Sequence, residues 1–334
     1  MNTAIPVAVV LNDIDLSIPM PRSMPGWVLE RPSMDQVESF RETITAFYAT
    51  SLAMGQPAIR PPHEGLYTSY PEGWGIRYGI PSNQWRYSIV RRHDASGLGD
   101  KALDQAFRIS DADLWIPLRV RIDRPYSGQE PNGARFVFVP GGNAHQAFQF
   151  YASRTSKQTT PETPDLDEVA EVVNLRAELD DEAYPEIAEA LADFVELDGL
   201  AEQSRQKFLG YFAVIERLLT HNPKPSDPVD SLTTQLKRNV VLLDHRLPDH
   251  RKIGFDSFNG AKPDKVIANL YAYRSAVAHG GSVPAALKWF NQNHPKTWSS
   301  DYILDLHLFT RTMTKRVLIA AMREPLLVRD LTGS

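Results

Sequence analysis

Apolar positions change their spacing about half-way along the chain. Up to about residue 150, Gly and Pro punctuate the sequence densely, as in Pro61, Pro62, Pro71, Gly73, Gly75 and Gly79. Short β-branched and aromatic runs lie between such breaks, which is the pattern of strands joined by turns. Strands are expected at 84–90, 114–122 and 135–139. In the second, Ile116, Leu118, Val120 and Ile122 alternate with Arg119 and Arg121, the period of a strand with one buried face. Pro117 has no N–H for a ladder and places this strand at a sheet edge or at a bulge. One early helix is expected at 34–51, capped by Ser33, with Val37, Phe40, Ile44 and Phe47 at helical spacing. Residues 1–152 therefore read as a mainly β or α+β domain.

Residues 153–164 are polar and end in prolines, as a linker would. Beyond them the apolar period becomes 3.6 and stays so. Helices are expected at 166–179, 184–197, 204–220, 229–243, 265–279, 283–291 and 299–327. Residues 165–330 thus form an all-α antiparallel bundle. The expected fold class is α+β overall, with a strand-rich domain followed by a helical one.

Composition narrows the chemistry. The 334 residues include no cysteine, so a disulfide scaffold, a thiol nucleophile and thiolate metal sites are excluded. No apolar run approaches the roughly 20 residues of a membrane span. The first residues lack a basic segment and are interrupted by Asn12, Asp13 and Asp15, unlike a signal peptide. A cytoplasmic protein with no membrane partner is expected. The net charge of −5 averages three unlike parts: +1 for residues 1–161, −14 for 162–204 and +8 for 205–334. The last third is basic within an acidic chain, which permits a polyanionic partner there. The acidic block reads as the solvated faces of two helices, or as a nucleic-acid mimic that covers the basic part.

One stretch of the bundle combines a helix end with titratable chemistry. It runs Leu270-Tyr271-Ala272-Tyr273-Arg274-Ser275-Ala276-Val277-Ala278-His279-Gly280-Gly281. Val266, Ile267, Leu270 and Val277 make an apolar stripe, and the glycines stop the helix. Arg274 and His279 stand five apart, about 140° round a regular helix, but His279 sits where the chain unwinds. A helix C-terminus favours an imidazolium and a neighbouring guanidinium opposes it, leaving a histidine able to titrate near neutral pH. Such a pair suits RNA cleavage. The imidazole moves protons at the 2′-hydroxyl or the leaving oxygen, and the guanidinium clamps the phosphate. No metal or other cofactor is required, and DNA, lacking the nucleophile, is not cut.

The string Tyr271-x-x-Arg274-Ser275-x-x-x-His279-Gly280-Gly281 resembles the R-x4-6-H motif of HEPN domains, most of all their Apea-like and abortive-infection C-terminal branch. The similarity extends to Phe212-Ala213-Val214-Ile215-Glu216-Arg217-Leu218-Leu219, a helix with Glu before paired leucines, and to 236–243, a helix with Arg238 in its middle. It covers about residues 200–325. Many HEPN nucleases carry Asn, Asp or His after the arginine; Ser275 follows the Apea-like branch. The resemblance implies a HEPN-like bundle that pairs as a homodimer, a composite RNase site, and a phage-defence or toxin-like role. Arg274 and His279 are then the catalytic residues. The N-terminal domain would sense a trigger molecule or bind an antitoxin partner. The alternative is a HEPN module without activity that binds RNA or a protein, or a mononucleotide-handling enzyme.

Supporting residues each carry two readings. Glu216 orients His279 or pairs with Arg238; Arg238 reaches phosphate or is that partner. Tyr271 stacks a base or fills the core, and Ser275 follows Arg274 directly. The run Asp244-His245-Arg246-Leu247-Pro248-Asp249-His250-Arg251-Lys252 repeats Asp-His. A metal site is conceivable there, but a basic RNA-binding loop carrying Arg246, Arg251 and Lys252 is the preferred reading. The glycine turn at 140–145 could hold a phosphate at a helix N-terminus, but it lacks a complete motif and an ordinary turn is the preferred reading. Trp74, Tyr78, Trp85, Tyr87 and Trp115 line a groove or fill a β core.

Overall fold

A computed structural model describes residues 5–10, 14, 18–33, 88–94, 97–112, 114, 118–123, 135–138, 163–222, 231–293 and 302–333. The chain divides into two units, Met1–Ala177 and Glu178–Ser334. Strands characterise the first and helices the second, a mixed architecture compatible with α+β.

Six strands of the first unit form one antiparallel sheet. They are β1 (Ile5–Val10), β2 (Arg22–Met24), β3 (Trp27–Glu30), β4 (Ser88–Arg92), β5 (Leu118–Asp123) and β6 (Arg135–Phe138), in the order β2-β3-β4-β1-β5-β6. β1 lies between β4 and β5, with Val9 opposite both Ile89 and Leu118. An inner strand need not alternate apolar and polar residues, so the continuous apolar run of β1 carries no period-two signal. β5 pairs with β1 and β6, so it is not the edge strand that Pro117 suggested. Trp27, Leu29, Ile89 and Val90 are buried, and the Trp27 indole donates to the Leu98 carbonyl at 2.7 Å. Arg91 of β4 grips Glu30 of β3 with Nε–Oε1 at 2.8 Å and Nη2–Oε2 at 3.1 Å. Helix α1 (Asp100–Ile109), unanticipated from the sequence, buries Leu103, Ala106, Phe107 and Ile109.

Helix α2 (Thr163–Glu178) belongs to this first unit, which moves the division from residue 164 to Ala177. The reason is local bonding. Val169, Val172 and Val173 are buried, Glu168 accepts from the Asp111 N–H at 2.8 Å, and Arg176 Nε donates to Gln105 at 2.9 Å. Asp167 ion-pairs with Arg22. Thr163 and Pro164, expected in a linker, open this helix. The expected helix at 34–51, the rest of the linker at 153–162, the turn at 140–145 and all five groove aromatics lie outside the described residues.

The second unit contains α3 (Pro185–Glu196), α4 (Arg205–Leu219), α5 (Leu232–Arg246), α6 (Pro263–His279), α7 (Val283–Asn293), α8 (Tyr302–Arg323) and α9 (Pro325–Thr332). Helix α4 packs on α3, α5, α6, α8 and α9. Its burial is correspondingly broad: Phe208, Tyr211, Phe212, Ile215, Leu218 and Leu219 are all at or below 1% exposure. Gly210 allows one close approach, since a Cβ there would stand 2.2 Å from a Leu197 methyl. Asn239 of α5 is fully buried and donates to the Leu219 carbonyl at 2.6 Å, satisfying the end of α4. Helix α8 is buried at almost every position from Asp305 to Met322, and two of its hydroxyls bond back into the helix. Thr310 and Thr314 each donate to the carbonyl four residues earlier at 2.8 Å. The single helix expected at 299–327 is two. Pro325 lacks an N–H and forces Glu324 to φ −126° and ψ 57°, ending α8 and starting α9. Among the described residues no helix is long and apolar enough to cross a membrane.

Candidate active site

Helix α6 is positioned by a stripe of Val266, Ile267, Leu270 and Tyr273, all buried. It starts with Pro263, whose missing N–H costs nothing in a first turn. It stops at His279 because Gly280 takes the left-handed conformation, φ 70° and ψ 24°. The Gly281 N–H then returns to the Ala276 carbonyl at 2.9 Å. His279 is therefore the last helical residue, and it is exposed. Among the described residues its ring makes no hydrogen bond or ion pair, and nothing joins it directly to Arg274.

Arg274 points to α4. Its Nη2 donates to Glu216 Oε2 at 2.9 Å, with 23% of the Arg274 side chain and 17% of the Glu216 side chain exposed. The guanidinium carbon lies 5.7 Å from the centre of the Tyr271 ring, one turn earlier on α6. Arg274 Nε is buried without a hydrogen bond, and among the described residues Nη1 makes none. One nitrogen is thus held, one enclosed and one without a partner among the described residues.

Glu216 is the acidic member of this group. Burial pushes its carboxyl above the usual carboxylate range, and the charge and hydrogen bond of Arg274 pull it back only in part. Its second oxygen, Oε1, is buried without a hydrogen bond. A carboxyl raised in the folded state contributes stability at low pH. That contribution is lost as pH rises from the unfolded to the folded pKa. Glu216→Gln keeps the acceptor oxygen without the titrating group, so its stability relative to wild type is expected to rise from about pH 4 to pH 7. Urea denaturation of both proteins at both values checks this; a difference that is the same at both, or that moves the other way, contradicts it.

A polar string behind Arg274 was not anticipated. The carbonyl of Glu202 lies 3.1 Å from His307 Nδ1, and Tyr273 Oη lies 3.3 Å from Nε2. A carbonyl only accepts, so Nδ1 carries a proton, and in the neutral ring Nε2 then accepts from the Tyr273 hydroxyl. Phe208 lies against both rings, at 4.6 Å from Tyr273 and 5.1 Å from His307. Lys207, fully buried, donates to the Leu200 carbonyl at 3.1 Å and to Glu202 at 2.9 Å. Desolvation lowers its pKa against the pull of Asp198 and Glu202. The signal available in the sequence was a lysine at a stripe position: Lys207, Tyr211, Val214 and Leu218 share one face of α4.

Other expected site residues lie elsewhere. Arg238 is exposed and donates to its neighbour Asn239 at 2.9 Å, so Glu216 pairs with Arg274 and not with Arg238. Ser275 is half-buried beside Arg274. Arg246 is exposed at the end of α5. Arg251 is 2% exposed in the short 3-10 turn Asp249–Arg251, so its guanidinium is not on an RNA-facing surface as expected; an internal position leaves no route to phosphate. Lys252 Nζ donates to the Asp244 carbonyl at 2.7 Å, and Asp244 Oδ1 accepts from the Ile253 N–H at 2.8 Å. Asp244 therefore organises this loop, and among the described residues no cluster of three His, Asp or Glu suits a metal ion.

Comparison of the chain with protein-family models, with curated proteins and with solved structures found no match.

Proposed function

We propose that the helical part of the chain is a HEPN-type, metal-independent endoribonuclease domain. The observation that carries this reading is the placement of a guanidinium and an exposed imidazole on one helix. Among the described residues Arg274 Nη1 makes no hydrogen bond, and His279, five residues on, ends the helix exposed and without a hydrogen-bond partner. A histidine needed only as a helix cap would be bonded to carbonyls of its own bundle.

In the proposed reaction the 2′-oxygen of RNA attacks the adjacent phosphorus and the bond to the 5′-oxygen breaks. The products are a 2′,3′-cyclic phosphate and a 5′-hydroxyl. Arg274 neutralises the charge that builds on the phosphoryl oxygens. His279 handles protons. In a homodimer one copy accepts the 2′-hydroxyl proton and the other donates to the leaving oxygen, so the proton count balances. The +8 charge of residues 205–334 supplies the attraction for RNA. A phage-defence or toxin-like role, with the first unit sensing a trigger or partner, completes the proposal.

The test is RNA digestion by purified protein in EDTA. Fragments with 2′,3′-cyclic or 3′-phosphate ends are expected, with DNA of the same sequence left intact. Fragments with 5′-phosphate ends, or intact RNA across total cellular RNA, overturn the reading. The alternative is a HEPN module that binds RNA without cutting it. It predicts retention of RNA with no new ends.

A further inference from the structure

We infer that Glu216 is a positioning residue, which fixes the edge of the Arg274 guanidinium and so sets how Arg274 is presented to the scissile phosphate. The inference deepens the nuclease reading and rests on it for the identity of the ligand.

An arginine side chain has several rotatable bonds and five N–H donors, and an unconstrained one presents many faces to an anion. Here three contacts remove that freedom. Glu216 Oε2 takes Nη2 at 2.9 Å, the Tyr271 ring lies 5.7 Å from the guanidinium carbon, and Nε is enclosed. The carboxylate comes from α4 and the ring from α6, so the orientation depends on the packing of these two helices. The other ionic groups near this part of α4 are engaged elsewhere. Arg217 is held by Glu189 and by Asp193 on α3, and Arg238 of α5 by Asn239. Among the described residues Arg274 is the one charged group that acts on Glu216.

A register-fixing ion pair and a positioning carboxylate make different predictions. If Glu216 aims the guanidinium, what matters is an acceptor oxygen at that place. Glu216→Ala is then expected to lower kcat by roughly 10–10²-fold, the cost of a misplaced catalytic group, while KM changes by less than about threefold. Glu216→Gln recovers most of that loss. Glu216→Asp, one methylene short, recovers little. The experiment measures kcat and KM on a defined RNA for the full chain and these three variants. A second measurement does not need cleavage: ¹⁵N NMR of the Arg274 side chain. Separate Nη signals are expected in wild type and Glu216→Gln, and averaged signals in Glu216→Ala.

Unchanged kcat in Glu216→Ala, a rise in KM alone, or equal loss in the Ala and Gln variants overturns the inference. So does an Arg274 spectrum that is the same in all variants. A wild type that cuts no RNA but shows the expected spectra supports the positioning of Arg274 and overturns the nuclease reading by itself.

Discussion

His279→Ala is expected to lower RNA cleavage by roughly 10²–10⁴-fold, the range for loss of a general acid or base. Stability is expected to stay within about 0.5 kcal/mol of wild type, because the side chain is exposed and makes no hydrogen bond or ion pair among the described residues. Loss of activity without loss of fold is therefore the signature. Cleavage rates on one labelled RNA, together with thermal denaturation, check both parts. Wild-type rates in His279→Ala sink the proposed mechanism. Arg274→Ala is the less clean partner experiment. It removes the counter-charge from Glu216, whose carboxyl burial already disfavours ionisation, so lost activity and lost stability arrive together. Arg274→Lys keeps the charge and removes the planar fork. In a cell, the same logic predicts growth arrest on expression of wild type and none with His279→Ala.

Phe208→Ala carries the largest expected effect on stability. Phe208 has no exposed surface and lies at 5.2 Å from Phe212, 4.6 Å from Tyr273 and 5.1 Å from His307. Removing a buried phenyl ring costs about 3–5 kcal/mol, part transfer and part cavity. The cavity would open against Tyr273, the residue before Arg274, and beside the His307 hydrogen bonds. The variant is therefore expected to loosen the turn of α6 that carries the guanidinium. Urea denaturation measures the first effect and the Arg274 side-chain spectrum the second. Phe208→Leu, which refills much of the volume, should cost less than half as much. A Phe208→Ala protein within 1 kcal/mol of wild type would show that this contact is not part of the core.

Helix boundaries in the second unit were legible where local chemistry sets them. The expected helix at 204–220 becomes Arg205–Leu219, with Ser204 and Thr220 as its caps. The end of α6 falls on His279, as expected, because glycine alone accepts the left-handed turn that follows without strain. The break at Pro325 was equally local, and the apolar period running across it concealed it. In the first unit, β1 and α1 were not legible. β1 has no alternation to read, and a three-residue strand such as β2 leaves almost no pattern. The placement of α2 was invisible for another reason. Its acidic amphipathic sequence resembles α3, but Glu168 and Arg176 find their partners in residues 105–111.

The sequence alone placed Arg274 and His279 five apart on a helix stopped by two glycines, within the basic third of the chain. Those properties depend on neighbours along the backbone, and helical period and glycine conformation determine them. The partner of Arg274 was a matter of packing. Periodicity says that Glu216 and Arg238 each lie on a helix, but not which neighbouring helix either one meets. Packing of α4 against α6 brings Glu216 to Arg274 and leaves Arg238 to Asn239. Arg251 is buried and Arg274 Nε enclosed. Which nitrogen of a guanidinium is held and which is enclosed depends on side chains from more than one helix, and no local rule of sequence encodes those distances.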